Sequence, residues 1–182
     1  MNLGPATLPA GLDLVADFVN TLHAGDGSDA LATPPSALRW LSSRGLMGSD
    51  EYLSEAELAR LTEARESLRD LLVANAGGVL DPAAVAALDH SGRAAALVVR
   101  FGPHGRARLA PSGKGAGAVL ARLLAVVFTA QATGVWSRLK ACGQESCQWA
   151  FYDSSKNRSR TWCSMASCGN RAKSRTYRRR HA

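Results

Sequence analysis

Four cysteines constrain this chain more than any other feature of its sequence. They form two C-x4-C pairs separated by 15 residues, and they are Cys142, Cys147, Cys163 and Cys168. Each pair can turn back on itself so that both sulfurs face one point, and the loop between the pairs lets the second complete a tetrahedron. The spacing therefore predicts a zinc ion held by four thiolates.

Other uses of the four cysteines are less consistent with the sequence. Two disulfides would need an oxidising compartment, but the N-terminal stretch MNLGPATLPAGLDLVADF lacks the basic start of a secretory signal. We therefore expect a cytoplasmic protein with reduced thiols. A redox pair usually has two residues between its cysteines and stands alone. Thiolates favour zinc over magnesium or calcium, and an iron–sulfur cluster is the metal alternative that stays open.

The charged residues, like the cysteines, are unevenly distributed along the chain. Residues 1–137 hold 11 Lys and Arg against 13 Asp and Glu, whereas residues 138–182 hold 11 against only Glu145 and Asp153. The whole net charge of +7 therefore comes from the part of the chain that carries the cysteines. This division predicts two domains, 1–137 and 138–182.

The basic residues flank the second cysteine pair and are suited to phosphate. Neutralising phosphates releases counterions, and Arg makes bidentate contacts to phosphate or guanine. The predicted nucleic-acid-binding residues are Lys156, Arg158, Arg160, Arg171, Lys173, Arg175, Arg178 and Arg179. The plainer alternatives are a solvated tail for the last arginines, and, for Arg171, hydrogen bonds to the cysteine loops or an ion pair with Asp153.

The residues after Cys168 predict a short helix whose start is fixed by the metal. GNRAKSRTYRRR has no apolar face, so such a helix would be unstable alone, and Asn170 is a candidate cap. Zinc would supply folding free energy that the few aromatic residues near the cysteines cannot. We expect Trp149 and its aromatic neighbours to form a small core rather than to stack on bases.

Residues 1–137 predict a mainly helical α+β domain with a small β-hairpin or sheet. Helical periodicity marks residues 12–24 and a long helix from Ser54 to about Asn75, where Ser54 and Glu57 form a capping-box pattern. AALVVRF and RARLAP predict the hairpin, and an apolar helix is expected from Gly115 to about Ala141. The uncharged run in that helix covers only residues 123–137, too short to span a membrane.

Several segments of the chain resemble known protein families. CGNR at Cys168–Arg171, the string FYDSSKNRSRTWCSMASCGNRAKSR and the first C-x4-C pair are similar to the CGNR zinc finger over about residues 138–180. The resemblance implies that the four cysteines bind zinc and that the basic residues bind DNA. DFVNTL at Asp17–Leu22 and LRWL at Leu38–Leu41, with the hairpin and long helix, resemble the ABATE domain, a family assigned on prediction to stress-induced transcription regulation.

Three functions fit these features, and the first is favoured. It is a transcription regulator whose residues 1–137 sense an unknown small molecule or form a homodimer, and whose zinc module binds double-stranded DNA. The second is an RNA-binding or ribosome-associated zinc protein, which would prefer structured RNA. The third is an enzyme with a pocket near Asp17 and Asn20, which we do not expect because no catalytic motif is present.

Overall fold

The computed structural model describes residue 9 and residues 11–181. Most of the irregular segment predicted at residues 1–11 lies outside the described residues. The described chain is mainly helical and contains three two-stranded antiparallel sheets. The predicted class, an α+β chain with a hairpin, a four-cysteine cluster and a C-terminal helix, is confirmed.

The helices and strands follow one another in this order. The helices are α1 Leu12–Val19, α2 Pro34–Ser43, α3 Glu55–Asn75, α4 Pro82–Ala94, α5 Gly115–Ala132 and α6 Asn170–His181. The strands are β1 Leu22–His23, β2 Ser28–Asp29, β3 Leu97–Phe101, β4 Ala107–Pro111, β5 Leu139–Ala141 and β6 Ala150–Tyr152. A 3-10 turn at Trp136–Arg138 precedes β5, and a π-helical turn at Met165–Gly169 leads into α6.

Helix α1 is shorter than its periodicity predicts. The apolar pattern runs to residue 24, but the helix ends at Val19 and the chain turns into the β1–β2 pair. The hydroxyl of Thr21 donates to the Phe18 carbonyl, and the Asn20 amide is bonded to Ala150 far along the chain. Side chains that bond to backbone compete with helix continuation, which explains the early end.

Helix α3 confirms its predicted start. The Ser54 hydroxyl accepts from the Glu57 N–H, and the Glu57 carboxylate accepts from the Ser54 N–H, which makes a complete capping box. The predicted apolar face is buried along the helix, with Leu61 and Leu72 fully shielded from solvent. This helix is the central support against which the other elements pack.

Helix α5 ends nine residues before the predicted position. Gly134 has a φ of 72°, which L side chains rarely adopt, and its N–H donates to the Gln131 carbonyl. The N–H of Val135 donates to the Ala130 carbonyl, and the two bonds form a Schellman motif. The prediction of a helix reaching Ala141 was wrong because this glycine motif ends it.

The apolar character of α5 comes from its place in the core. Among the described residues it is the one helix long and apolar enough to cross a membrane. Its Val119 and Leu123 side chains are fully buried against neighbouring helices. Such burial is typical of the core helix of a folded domain.

The segment that carries the first cysteine pair is anchored in the main core. Leu139, Ala141 and Ala150, on the β5–β6 pair, belong to the same apolar cluster as the N-terminal helices. The Asn75 amide donates to the carbonyl of Leu139, and the Arg69 guanidinium donates to the carbonyl of Gln148. The first cysteine pair is thus positioned by helix α3.

A substitution at Asn20 tests this anchoring. Its side-chain amide donates to the Ala150 carbonyl at 2.9 Å and accepts from the Ala150 N–H at 2.7 Å. Asn20→Ala leaves both backbone groups without these partners, so we expect a loss of about 1–3 kcal/mol in unfolding free energy, measured by urea denaturation. Asn157→Ala, in an exposed loop, is the control and should change stability little. Equal effects of the two variants would contradict the anchoring role.

Candidate metal centre and basic surface

The four cysteine sulfurs converge on one point. Cys142 directly follows β5, Cys147 lies in the turn before β6, Cys163 follows the basic loop, and Cys168 lies in the π-helical turn. The Sγ atoms of Cys147 and Cys163 are 3.7 Å apart, those of Cys163 and Cys168 are 3.8 Å apart, and all four lie within 4.8 Å of one another. The predicted ligands are therefore brought together.

These distances suit a metal better than disulfide bonds. In a tetrahedral thiolate site with zinc–sulfur bonds of about 2.3 Å, neighbouring sulfurs are about 3.8 Å apart, as geometry requires. A disulfide needs about 2.05 Å between sulfurs, and all four cysteines are free. Four sulfur donors at the edge length of this tetrahedron fit zinc, the ion that four-cysteine sites most often hold.

The pKa shifts of the cysteine thiols also favour a bound metal. Burial and hydrogen bonding within the cluster raise the pKa of Cys163, and burial raises that of Cys147. For Cys168 burial acts in the same direction, but hydrogen bonds from Cys147 and Cys163 outweigh it and lower the pKa. Without a cation, the cluster therefore resists carrying several thiolates at once, and a divalent metal would balance that charge.

A small aromatic core surrounds the sulfurs. Phe151, Cys142 and Cys168 are buried together, and Trp149 and Trp162 pack against them. The Trp149 ring also meets His23 edge-on, with ring centroids 5.3 Å apart. These contacts agree with the predicted structural role of the aromatic residues.

The glycines after Cys142 and Cys168 lie where neighbouring side chains leave little room for a Cβ atom. A Cβ at Gly169 would lie 2.7 Å from Sδ of Met165, and one at Gly143 would lie 3.0 Å from Cγ2 of Thr161. The close neighbours are therefore side chains of the module rather than cysteine sulfurs.

A buried ion pair organises the loop between the cysteine pairs. The Asp153 carboxylate is fully buried and accepts from Lys140 Nζ at 2.8 Å, and also from the N–H groups of Ser155 and Arg160. Burial acts to raise the pKa of Asp153, but the hydrogen bond from Lys140 and those from Ser155 and Arg160 outweigh it and lower the pKa. Asp153 is thus ionised at neutral pH, and the stability that its lowered pKa contributes is lost only as the pH falls through that pKa.

The basic residues of the loop between the cysteine pairs differ in the number of internal contacts that they make. The Arg160 guanidinium donates to the carbonyls of Trp162 and Cys163 and stacks over the Phe151 ring at 5.0 Å. Within the described part of the chain, the Arg158 side chain makes one hydrogen bond, an exposed one to the Ser137 hydroxyl, and the residue has a φ of 52°. Lys156 is exposed. Arg160 thus has an internal role that the sequence did not reveal, whereas Lys156 and Arg158 face solvent.

Helix α6 and the π-helical turn before it form a surface groove that is lined by three arginines of the helix. Arg171, Arg175 and Arg178 line this groove of about 560 Å³, together with Asn170 and Ser174. The Arg175 guanidinium is held by the buried Gln144 side chain, which fixes the helix to the turn of the first cysteine pair. The spacing of these residues, at i, i+4 and i+7, places them on one face of the helix.

The cap predicted at Asn170 is not formed. The chain is already helical from Met165, and the Asn170 amide donates back to the Ala166 carbonyl. Lys173 and Arg179 are exposed on α6. Among the described residues, Arg171, Lys173, Arg178 and Arg179 make no ion pair or hydrogen bond through their side chains. They are therefore available to a partner.

Polar residues in and just after helix α1 contact other segments of the chain. Asp17 pairs with Arg44, and Thr21 accepts a hydrogen bond from the buried Arg65 guanidinium. The sequence raises a ligand pocket near Asp17 and Asn20, whereas the structure bonds both side chains to other segments of the chain. The sequence did not identify the buried Arg65 and Arg69 or the Lys140–Asp153 pair, because periodicity places charged residues outside the core.

Comparison with protein families agrees with this geometry. Residues 12–133, more than half of the chain, match the ABATE family, described as "Putative stress-induced transcription regulator". The chain belongs to the ABATE family. Residues 138–181 match the CGNR zinc finger, and both resemblances seen in the sequence are thereby confirmed. Comparison with curated proteins finds no match.

The two matches assign the parts of the fold. The ABATE region contains α1–α5 and the β3–β4 hairpin, and the CGNR finger contains the cysteine cluster, the basic loop and α6. The chain is thus a zinc-finger protein of a family described as a transcription regulator, with a four-cysteine metal-binding site. The β5–β6 pair, which lies in the finger but packs in the ABATE core, joins the two parts.

Proposed function

We propose that the chain is a zinc-dependent, double-stranded-DNA-binding transcription regulator. The observation that supports this most is the placement of α6. A helix with no apolar face begins two residues after the last cysteine and carries exposed arginines along a groove. A helix of this composition contributes little to a core, so its charge is available for a polyanion.

Zinc would be held by the four cysteines, and its contribution is structural. When bound, it supplies the free energy that closes the cysteine loops, because the aromatic core around them is small. The chain's own residues then orient the basic surface: Gln144 holds Arg175, and the Lys140–Asp153 pair shapes the basic loop.

Contacts to phosphate would come from the exposed basic residues of the finger. Lys156, Arg158, Arg171, Lys173, Arg178 and Arg179 face solvent, and Ser174 lines the same groove as Arg171. Phosphate contacts give affinity and orientation but carry no sequence information. Residues 1–137 are proposed to supply regulation, by sensing a small molecule or by forming a homodimer. The chain is proposed to be non-enzymatic and cytoplasmic.

Paired charge substitutions test the proposed surface. Arg171→Gln with Arg178→Gln removes two positive charges from the groove, and we expect duplex-DNA affinity to fall and the salt dependence of binding to weaken by roughly two in log–log slope. Fluorescence anisotropy of the full zinc-loaded chain measures both. Arg39→Gln with Arg60→Gln removes the same charge from exposed sites of α2 and α3 and is the control. Equal losses in both pairs would show that net charge alone drives binding, against the proposal.

A further inference from the structure

A second concentration of arginines lies in the ABATE region, away from the finger. The chain has no Asp or Glu between Asp89 and Glu145, although 13 of its acidic residues precede this stretch. The β3–β4 hairpin and α5 lie within it. Any surface built from the hairpin and α5 is therefore positive, even though residues 1–137 as a whole are slightly acidic.

The hairpin places two arginines directly opposite each other. Arg100 on β3 and Arg108 on β4 are Cα partners in the antiparallel register, and the next pair on the same face is Val98 with Ala110. Directly opposed side chains on one face lie close together, and like charges there destabilise the pair. Among the described residues, neither arginine forms an ion pair. Within the described fold, no acidic side chain therefore balances the repulsion between the two arginines.

These two arginines line a groove to which apolar side chains also contribute. The groove, of about 600 Å³, lies between the hairpin and α5, and Leu14, Ala125 and Val126 contribute apolar surface to it. Its volume lies in the range of small-molecule sites.

A third arginine enters the groove from the helix. Arg122 interrupts the apolar sequence of α5 and shares a helix face with Val126 and Thr129, which also line the groove. One of its N–H groups donates to the Gly45 carbonyl at 2.9 Å, and this bond anchors the guanidinium beside the groove. The arrangement thus combines cations from two strands and a helix beside apolar side chains.

We propose that this groove binds a small organic anion, a carboxylate or phosphate ester with an apolar body. The anionic group lies between Arg100 and Arg108, with Arg122 as a third donor, and the apolar body lies against Leu14 and Val126. An anion there relieves the repulsion of the opposed arginines, and the apolar contact selects against inorganic ions. This binding does not depend on DNA binding by the finger.

Titration calorimetry on the full zinc-loaded chain tests the proposal with four matched probes. Octanoate and octyl phosphate carry both an anionic group and an apolar chain, octanol lacks the charge, and inorganic phosphate lacks the chain. We expect at least one octyl anion to bind about tenfold more tightly than octanol and inorganic phosphate, since it alone makes both kinds of contact. Failure of both octyl anions to bind up to their solubility limits, or binding no tighter than that of either reference compound, overturns the proposal.

A set of single variants locates the site. Arg100→Gln and Arg108→Gln should each weaken binding of the octyl anion about tenfold. Arg106→Gln removes an exposed charge from the same hairpin outside the groove and should leave the affinity unchanged. Equal weakening by all three variants would assign the binding to general charge and overturn the proposal.

The same variants give a readout without ligand. If the opposed arginines repel each other, Arg100→Gln and Arg108→Gln should raise the melting temperature of the unliganded chain, and Arg106→Gln should raise it less. Higher thermal stability together with weaker anion binding in these variants would show that Arg100 and Arg108 repel each other in the free chain and bind the anion together. Lower stability of both variants would show that the pair is already compensated, against the proposal.

Discussion

Replacing Cys168 with alanine is expected to abolish stoichiometric zinc binding and to unfold the chain from Cys163 through α6. Apparent zinc binding contributes about 10–16 kcal/mol to folding in finger peptides, and the residues after the basic loop have few other contacts. The π-helical turn and α6 touch little besides each other and the cysteine cluster. With three sulfurs the tetrahedron is incomplete, so the segment loses the interaction that fixes it.

Metal content and hydrogen exchange together measure this outcome. Zinc per chain is expected to fall from one to near zero, and the backbone amides of α6 should lose protection. The amides of α3 and α5 should keep theirs, because those helices pack in the separate apolar core. Ser164→Ala is the control, since it leaves intact the Ser164 carbonyl that accepts from the Gly169 N–H. A Cys168→Ala chain that retained one zinc and a protected α6 would contradict the assigned ligand set.

Asp153→Ala is expected to cost about 3–5 kcal/mol of stability, the loss typical when one member of a buried ion pair is removed. The substitution leaves the buried Lys140 ammonium without its counter-ion. It also removes the acceptor for the N–H groups of Ser155 and Arg160, so the loop between the cysteine pairs loses its internal support.

The chain offers a matched control for this substitution. Glu145 is the other acidic residue after position 137, and it is exposed, so Glu145→Ala makes the same change in net charge without exposing a buried partner. Urea denaturation of both zinc-loaded variants measures the difference. If Asp153→Ala were as stable as Glu145→Ala, the pair would have no structural importance. We also expect weaker DNA binding by Asp153→Ala alone, because the pair supports the loop that carries Lys156 and Arg158.

The sequence was most informative where a physical constraint acts locally. Paired cysteine spacing depends on short turns, so it predicted all four members of the sulfur cluster. The capping box at Ser54 and Glu57, and the hairpin, are likewise set by neighbouring residues. Helix ends were less predictable: α1 stops because Asn20 bonds to Ala150, a partner 130 residues away, and α5 stops at a Gly134 motif that an apolar pattern conceals.

Long-range polar contacts were beyond prediction from one sequence. The sequence offers Asp153 as a partner of Arg171, but Asp153, directly after β6, pairs with Lys140 on β5, and the linear order of the chain does not indicate this contact. The cation–π contact of Arg160 similarly depends on the folded loop. Which arginines are free for a partner is therefore knowable only after the internal bonds have been assigned. The eight basic residues remain predicted contacts, with Arg160 and Arg175 already partly engaged.

The most direct test of DNA binding is the salt dependence of duplex affinity for the full zinc-loaded chain, with structured RNA as competitor. Six exposed basic residues of the finger lack strong internal contacts, so a log–log slope of about −5 is expected if roughly that many phosphates are neutralised. Duplex DNA should also displace RNA. Absence of duplex binding at low salt would contradict the account. Tighter binding of the RNA would contradict it as well and favour an RNA-binding protein.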